Sequence, residues 1–252
     1  MTTQNYSFIL LRGLIRETEH WGPFVGLLKE AFPGSDVHGL DIPGAGKNYQ
    51  LATPTSIDGI VQSMRQDLLV LENSADKPRV LIAVSLGGMI AAHWFTQYPQ
   101  DFTKGVLINT SYAQFSPPWQ RLRPGALKKL LAVPLLKGIG REKRILSVVS
   151  NRPERYAELA SAWAYIHQQR PVSSLNAIKQ LIAAFNFQGV PARPILLLGS
   201  QQDQMVAHDC IKAIAHAWHV PLRSHATAGH DLTTDDPKWT VAQVNEWLAS
   251  TP

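Results

Sequence analysis

One stretch of the chain, residues 79–91, constrains the possible folds more than any other. It reads RVLIAVSLGGMIA, so a short apolar run reaches Ser85, two glycines follow, and a helix-forming segment comes next. This order predicts a buried strand that enters a helix through one sharp turn with Ser85 at its apex. Strand and helix approach closely there, and the small residues Ala83 and Gly87 supply the room. From these residues alone, Ser85 is either an exposed nucleophile or an ordinary helix N-cap.

The bulk composition is that of a globular protein with room for one large core. The chain has 252 residues, of which 45% are hydrophobic and 17% are charged, and no apolar run reaches the ~20 residues that cross a bilayer. Its N-terminus has no basic region before the first apolar run, so we expect no signal peptide. Cys210 is the single cysteine, which excludes an internal disulfide and a multi-cysteine metal site. We expect neither metal nor cofactor, and a cytoplasmic location.

The positive charge is concentrated in one segment. The chain carries 24 Lys and Arg against 19 Asp and Glu, yet residues 113–190 contain 12 of the basic side chains and only 3 acidic ones. This imbalance indicates either an anionic partner or a solvated helical face. Nucleic-acid binding is not expected, because no recognised module or basic-aromatic platform accompanies the charge.

Apolar runs alternate with helical periodicity along the chain. The predicted strands are residues 8–11, 37–40, 80–84, 106–108, 195–198 and 222–225. The predicted helices are residues 24–31, 57–71, 88–97, 210–218 and 239–248, with 125–137, 153–168 and 172–185 in a strand-free region. The pattern predicts an α/β fold of about six mostly parallel strands with helices on both faces. A helical cap, residues 112–189, is inserted after the fourth strand and divides the core into residues 1–111 and 190–252.

Two further polar residues follow predicted strands at the edge where Ser85 lies. His230 follows the last strand in the run ATAGHDL, and Asp203 is the one carboxylate in the turn after residues 195–198. A serine hydroxyl needs a base to remove its proton, and a buried acid must hold the tautomer of that base. The chain therefore has a candidate triad in the order Ser85, Asp203, His230.

Backbone amides on two loops complete the predicted site. The N–H of Leu86, directly after the serine, and that of Leu14, which follows Gly13 after the first strand, are the expected oxyanion-hole donors. Arg12 either braces this loop through hydrogen bonds or is a surface cation. Four aromatic residues are candidates for lining a pocket, and a core-packing role is equally open for each: Tyr112, Phe115, Trp119 and Trp163.

These motifs resemble those of the α/β-hydrolase fold family along nearly the whole chain. The order of the three polar residues is the family's own, and LDIPGAG at residues 40–46 looks like its D-x-P-G-x-G loop. The nearest likeness is to small cofactor-free esterases of the pimeloyl-[acyl-carrier protein] methyl ester esterase type. The chain departs from the family pattern at Arg12-Gly13, where His-Gly is usual, and at Ala83. Its first strand corresponds to what would be the family's third.

The resemblance implies a serine hydrolase that cleaves a carboxylic ester or thioester through an acyl-enzyme on Ser85. Its substrate would be a small-molecule or carrier-bound acyl ester. Membrane contact is not expected, because the LKKLL helix at 127–131 is short and Pro134 interrupts it. An acidic carrier protein is the implied partner of the cap arginines, which are Arg121, Arg123, Arg141, Arg144, Arg152 and Arg155. Two alternatives stay open: a carbon–carbon bond hydrolase of the same fold, and a non-catalytic protein that binds an anionic ligand.

Overall fold

The buried apolar runs of the sequence form a six-stranded sheet. The computed structural model describes residues 5–71, 77–185, 187–190 and 194–251. The strands are β1 (Ser7–Leu11), β2 (Asp36–Leu40), β3 (Arg79–Val84), β4 (Lys104–Ile108), β5 (Ile195–Ser200) and β6 (Leu222–His225). They lie in the order β2-β1-β3-β4-β5-β6, and every neighbouring pair is parallel. The predicted parallel sheet is therefore confirmed.

Helices cover both faces of the sheet, because each strand sends alternate apolar side chains to opposite sides. The helices of the core are α1 (Phe24–Ala31), α2 (Ile57–Leu69), α3 (Leu86–Gln97), α9 (His208–Trp218), α10 (Leu232–Asp235) and α11 (Pro237–Ser250). Leu81 and Ala83 of β3 join α2, α3 and α9 in one buried cluster. Val80, Ile82 and Val84 of the same strand join α1 and α11 in the other. This arrangement is the α/β-hydrolase fold.

Strand β4 begins two residues earlier than the sequence predicts. A charged residue, Lys104, opens it and is nevertheless 8% exposed, with its ammonium group donating to the carbonyl of Thr251. The next residue, Gly105, lies under the ring of Phe95. A Cβ at this position would come within 2.5 Å of that ring. An apolar-run criterion misses both residues, since neither is a large hydrophobe.

Helices fill the described residues between β4 and β5, and residues 112–189 are called the helical insertion below. They are α4 (Pro118–Arg121), α5 (Pro124–Leu130), α6 (Gly138–Val149), α7 (Tyr156–Gln169) and α8 (Ser174–Phe185). The single helix predicted at 125–137 is wrong, because α5 ends at Leu130 and Pro134 lies in a separate 3-10 turn. Helix α6 is missing from the prediction, because the charged run at 141–144 interrupts its apolar pattern. Ser173 accepts a hydrogen bond from the Asn176 amide and so caps the start of α8.

The D-x-P-G-x-G loop forms a tight reversal after β2. Gly44 and Gly46 have φ values of +90° and +52°, a region that glycine enters without a steric cost. Asp41 accepts hydrogen bonds from the backbone amides of Thr18 and Lys47, and so ties two loops together.

Among the described residues, no helix has both the length and the apolar character needed to span a membrane. Residues 1–4, which belong to the stretch where no signal peptide is predicted, lie outside the described part of the chain.

Candidate active site

Ser85 occupies a strained turn between β3 and α3. Its backbone has φ 56° and ψ −118°, a conformation that few non-glycine residues adopt and that neighbouring contacts must hold in place. The Ser85 amide donates to the carbonyl of Ile108, at 2.9 Å. The hydroxyl of Thr110 donates to the Ser85 carbonyl, also at 2.9 Å. The end of β4 therefore fixes this turn from both sides.

Glycines let three backbones meet around Ser85. A Cβ on Gly87 would lie 2.7 Å from the carbonyl oxygen of Leu11 and 2.8 Å from that of Arg12. A Cβ on Gly13 would lie 3.0 Å from the Cβ of Ser85. Because backbone carbonyl oxygens cannot move aside cheaply, a side chain at Gly87 would strain the end of β1. The requirement for a small residue there, deduced from the sequence, has this physical origin.

His230 and Asp203 form a buried hydrogen-bonded pair. The Nδ1 of His230 lies 2.7 Å from Oδ2 of Asp203, and the two side chains are 6% and 2% exposed. The other carboxylate oxygen of Asp203 accepts from the backbone amides of Met205 and Val206, at 2.7 and 2.9 Å. The loop after β5 thus orients the Asp203 carboxylate independently of its hydrogen bond to the imidazole.

The environment of His230 shifts its proton affinity. Burial disfavours the charged imidazolium, but the charge of Asp203, its hydrogen bond and the charge of Asp231 more than offset that effect. The pKa of His230 is therefore raised above the value of an ordinary histidine. An imidazole of this kind accepts a proton readily and stabilises the resulting charge.

Ser85 and His230 border the same small cavity. It has a volume of about 50 Å³ and is also lined by Leu14, Arg16 and Met205 among others. A second, larger cavity of about 530 Å³ shares Leu14, Ser85 and Met205 with it. The serine therefore lies where a small and a large cavity, both with mainly apolar walls, meet.

The two predicted oxyanion-hole residues lie beside Ser85 in the wall of the larger cavity. Leu86 is the first residue of α3, so its amide belongs to the helix N-terminus, where backbone N–H groups lack helical partners. Leu14 lies in the loop after β1, and both residues line the larger cavity. The Ile15 amide is engaged elsewhere, because it donates to Oε1 of Gln180 on α8 at 2.9 Å.

Arg12 is a buried bracing residue, and the surface-cation interpretation is wrong. Its side chain is 4% exposed and forms an ion pair with Asp231, and it also donates to the hydroxyl of Thr233, at 3.0 Å. Its guanidinium stacks on the ring of Trp21, 5.0 Å from the centroid. Arg12 therefore joins the loop after β1 to the loop that carries His230, while also bordering the small cavity.

Among the four candidate pocket aromatics, Trp119 borders the larger cavity. Tyr112 is a core residue instead, because it is fully buried and its hydroxyl donates to the carbonyl of Gly88. Phe115 packs edge-on against Tyr112 and against the core residue Trp218. Trp163 is buried within the helical insertion, where the guanidinium of Arg16 lies 4.2 Å from its ring centroid. Aromatic character alone does not tell these environments apart.

Asn109, at the end of β4, is a positioning residue that the sequence analysis missed. Its amide nitrogen donates to the carbonyl of His230 at 2.8 Å and to the hydroxyl of Ser200 at 3.0 Å. Its amide oxygen accepts from the backbone of Ser200. One side chain therefore holds the loops of Asp203 and His230 together. The signal available in the sequence was an asparagine directly after a buried strand, a residue type that tolerates the left-handed backbone found here, with φ 46°.

Asp235 has a different role from the helix-start acid that its position before Pro237 suggests. It is 7% exposed and accepts hydrogen bonds from the Gly229 amide, the Asn151 amide and the Ser150 hydroxyl. It therefore fastens the helical insertion to the loop of His230. Asp236 does cap α11, through the Trp239 amide.

A metal site is not evident in the part of the chain that the structure describes, where no three His, Cys, Asp or Glu side chains gather suitably. The arrangement around Ser85 instead offers a hydroxyl, a buried imidazole–carboxylate pair and backbone amides. This set of groups is suited to acyl transfer.

Solved structures with the same fold include several hydrolases. A 2-hydroxy-6-oxo-6-phenylhexa-2,4-dienoate hydrolase from Rhodococcus sp. strain RHA1 is 18% identical, with a TM-score of 0.77 over 98% of this chain and 92% of that one. The esterase RhEst1 from Rhodococcus sp. ECU1013 is 15% identical, with a TM-score of 0.75 over 100% of this chain and 93% of that one. A hydrolase from Pseudomonas aeruginosa PA01 is 16% identical, with a TM-score of 0.76 over 97% and 90%. At these identities the likeness establishes the fold.

No curated protein sequence matches the chain significantly. The likeness to pimeloyl-[acyl-carrier protein] methyl ester esterases therefore stays a prediction. A family-level match is clear, however, and it spans both halves of the core and the helical insertion. Residues 8–237 match the family described as serine aminopeptidase, S33, and the chain belongs to this α/β-hydrolase family.

Proposed function

We propose that the protein is a serine hydrolase that cleaves a carboxylic ester or thioester. The observation that carries this proposal is that His230, paired with the buried Asp203, lies in the wall of a cavity that Ser85 also borders. A histidine with a purely structural role needs neither a buried carboxylate partner nor a position in a cavity wall beside a strained serine. Perturbed titratable groups that converge on a cleft are characteristic of catalytic sites.

In the proposed mechanism, the hydroxyl oxygen of Ser85 attacks the substrate carbonyl carbon and its proton passes to Nε2 of His230. The negative charge of Asp203 stabilises the resulting imidazolium. The amides of Leu14 and Leu86 donate to the oxyanion of the tetrahedral intermediate. When the intermediate collapses, His230 returns the proton to the departing alkoxide or thiolate. Water then attacks the acyl-enzyme with His230 again as base, which releases the acid and restores Ser85.

The larger cavity favours a substrate with an apolar chain. Its volume of about 530 Å³ lies within the range that holds small-molecule ligands. Most of its wall is apolar, including Met89, Leu122 and Val206. The carbonyl group would then lie at Ser85, where the two cavities meet.

The carrier-bound form of the substrate has weaker support than the ester chemistry. Several of the arginines expected to meet an acidic carrier are already engaged within the protein. Arg121 donates to the carbonyls of Ala184 and Phe185, and Arg123 donates to that of Asp203. Arg121 therefore joins α4 to α8 within the helical insertion, and Arg123 joins the insertion to the loop after β5.

The decisive experiment is labelling with a fluorophosphonate probe, followed by a panel of p-nitrophenyl esters of increasing chain length. We expect the wild type to be labelled and Ser85→Ala to lose both labelling and turnover while keeping its thermal stability. Ser111→Ala is the matched control for labelling, because Ser111 lines the same cavity. Labelling that survives in Ser85→Ala contradicts the proposal. An unlabelled wild type would favour the non-catalytic alternative.

Carbon–carbon bond hydrolysis is a second candidate, because a cation borders the small cavity. The side chain of Arg16 lines this cavity beside Ser85, and its Nη2 is buried without a hydrogen-bond partner among the described residues. Its Nη1 donates to Glu142 at 3.0 Å. A free guanidinium nitrogen suits a carboxylate, which dienoate substrates carry. Hydrolysis of a vinylogous diketone acid in preference to any ester of the panel would favour this candidate.

A further inference from the structure

Helix α8 presents its apolar face to solvent. Its buried positions are the polar residues Asn176 and Gln180 together with Ala183. Five large apolar side chains of the same helix are exposed by about half or more: Leu175, Ile178, Leu181, Ile182 and Phe185. A surface helix ordinarily has the opposite arrangement, with its apolar stripe against the core.

Polar anchors hold α8 in this orientation. Asn176 accepts a hydrogen bond from the amide of Thr53 and donates to the carbonyl of Leu51, both at 3.0 Å. Gln180 accepts from the amide of Ile15, in the loop after β1. These three bonds reach two separate core loops. The outward apolar face is therefore a consequence of specific inward contacts.

Most exposed large apolar side chains belong to the helical insertion, and four of them border the larger cavity. Of the 15 exposed large apolar residues in the described chain, 11 belong to the helical insertion, although it spans less than a third of the sequence. Trp119 on α4, Leu127 on α5, and Leu181 and Phe185 on α8 all border the cavity that contains Ser85. The exposed apolar side chains of α4, α5 and α8 are called the apolar rim below. Contiguous apolar surface of this kind marks a site of interaction.

The charge around the apolar rim is positive. Between residues 117 and 151 the sequence contains eight Lys and Arg and one acidic residue, Glu142. That acid is completely buried, so its carboxylate does not contribute to the outer surface. Lys128 and Lys137 are exposed within the same segment. Residues 172–190 add Lys179 and no acid.

We propose that the apolar rim docks on the surface of an anionic phospholipid bilayer, with the mouth of the cavity facing the lipid. Apolar side chains flanked by lysines have the composition of membrane-surface elements, and the exposed carboxylate near Trp119, that of Asp209, is paired with Lys212. A second copy of the chain is a poorer occupant, because its rim would bring like charges together. An apolar substrate would then reach Ser85 from the bilayer without crossing water. The sequence alone argued against membrane contact from α5, and the orientation of α8 supplies the new reason.

Vesicle co-sedimentation tests this proposal without depending on catalysis. The full-length protein is mixed with vesicles of phosphatidylcholine and phosphatidylglycerol, or of phosphatidylcholine alone, at low and high salt. We expect binding to the anionic vesicles that weakens with salt. Ile178→Ser/Ile182→Ser should reduce the partition coefficient roughly tenfold, from the apolar area that it removes. Val70→Ser, at an exposed position of the core, is the matched control and should bind like the wild type.

A charge-reversal pair tests the electrostatic half of the proposal. We expect Lys128→Glu/Lys137→Glu to weaken binding to anionic vesicles several-fold, while Lys238→Glu, on α11 and away from the rim, has little effect. Thermal unfolding of each variant checks that the fold is intact. Ser85→Ala should bind vesicles normally, so failure of catalysis and failure of docking remain distinguishable.

Three results would overturn the proposal. The first is a wild type that does not sediment with anionic vesicles. The second is a loss of binding that is equal in Val70→Ser and Ile178→Ser/Ile182→Ser. The third is a concentration-dependent dimer, or a complex with an acidic acyl carrier protein, that Ile178→Ser/Ile182→Ser dissociates while vesicle binding persists. In that case the rim is a protein interface.

Discussion

The ion pair between Arg12 and Asp231 allows a test of how the loops around the candidate site are held. Each side chain is 4% exposed, and the Asp231 carboxylate also accepts from the hydroxyl of Thr233. Asp231→Asn keeps the shape of the side chain and one acceptor oxygen but removes the charge. Arg12 then remains as a buried cation without a counter-ion, which costs about 3–5 kcal/mol of unfolding free energy. For a chain of this length, the corresponding fall in Tm is about 6–20 °C.

The two charges of this pair shift the pKa of His230 in opposite directions. Beyond burial and the Asp203 charge, Asp231 raises the pKa of His230 and Arg12 lowers it. Asp231→Asn should therefore move the acid limb of the kcat/KM profile to lower pH, because the imidazole loses an anionic neighbour. Arg12→Met should move that limb to higher pH, since the remaining Asp231 charge is no longer balanced.

A double variant distinguishes the effect of losing the whole ion pair from the effect of losing one partner. Arg12→Met/Asp231→Leu removes both charges, so we expect it to recover most of the lost stability and to return the acid limb towards the wild-type position. Thermal and denaturant unfolding measure the stability, and hydrolysis of a soluble ester against pH measures the limb. A loss below about 1 kcal/mol in Asp231→Asn, typical of an exposed pair, would refute the reasoning. Acid limbs that move in the same direction in both single variants would also refute it.

Three shorter predictions follow from the site geometry. Because the pKa of His230 is raised, the acid-side midpoint of wild-type kcat/KM should lie above pH 6.5, and a lower midpoint would contradict its role as base. Gly87→Ala should lose about 1–3 kcal/mol of stability from the new contact with the Leu11 carbonyl, whereas Gly26→Ala, where nothing lies within 4 Å, should unfold near the wild-type temperature. Asn109→Ala should lower kcat about 10²-fold with little change in KM, because small misplacements of catalytic groups are costly. An unchanged kcat in that variant would show that the loops of Asp203 and His230 keep their positions without Asn109.

The sheet and the candidate triad could be predicted because both depend on local patterns. Apolar runs of three to five residues that alternate with amphipathic helices have few alternatives to buried parallel strands. Polar residues in the loops after such strands gather at one edge of the sheet, which is why the sequence predicts Ser85, Asp203 and His230 as candidate site residues. The cytoplasmic location and the division at residues 111 and 189 stay predictions.

Local sequence patterns do not predict which side chains pair across long separations in the chain. Arg12 is separated by 219 residues from Asp231, and no local pattern distinguishes an arginine with a buried partner from a solvated one. Tyr112 and Trp119 differ by seven positions, yet one is in the core and the other borders the cavity. Their environments depend on which helix covers them, and the helix boundaries in the insertion follow from prolines and packing together.

Helix α8 shows the limit most clearly. The spacing of its apolar residues determines that a helix forms with one apolar side, since that period is a property of the local chain. Which side faces inward is decided by Asn176 and Gln180, whose hydrogen-bond partners lie more than 120 residues away. Buried polar groups must be paired, so those distant amides and carbonyls turn the helix outward. Local residue patterns account for the sheet and the candidate chemistry, whereas long-range contacts set which surface each helix presents.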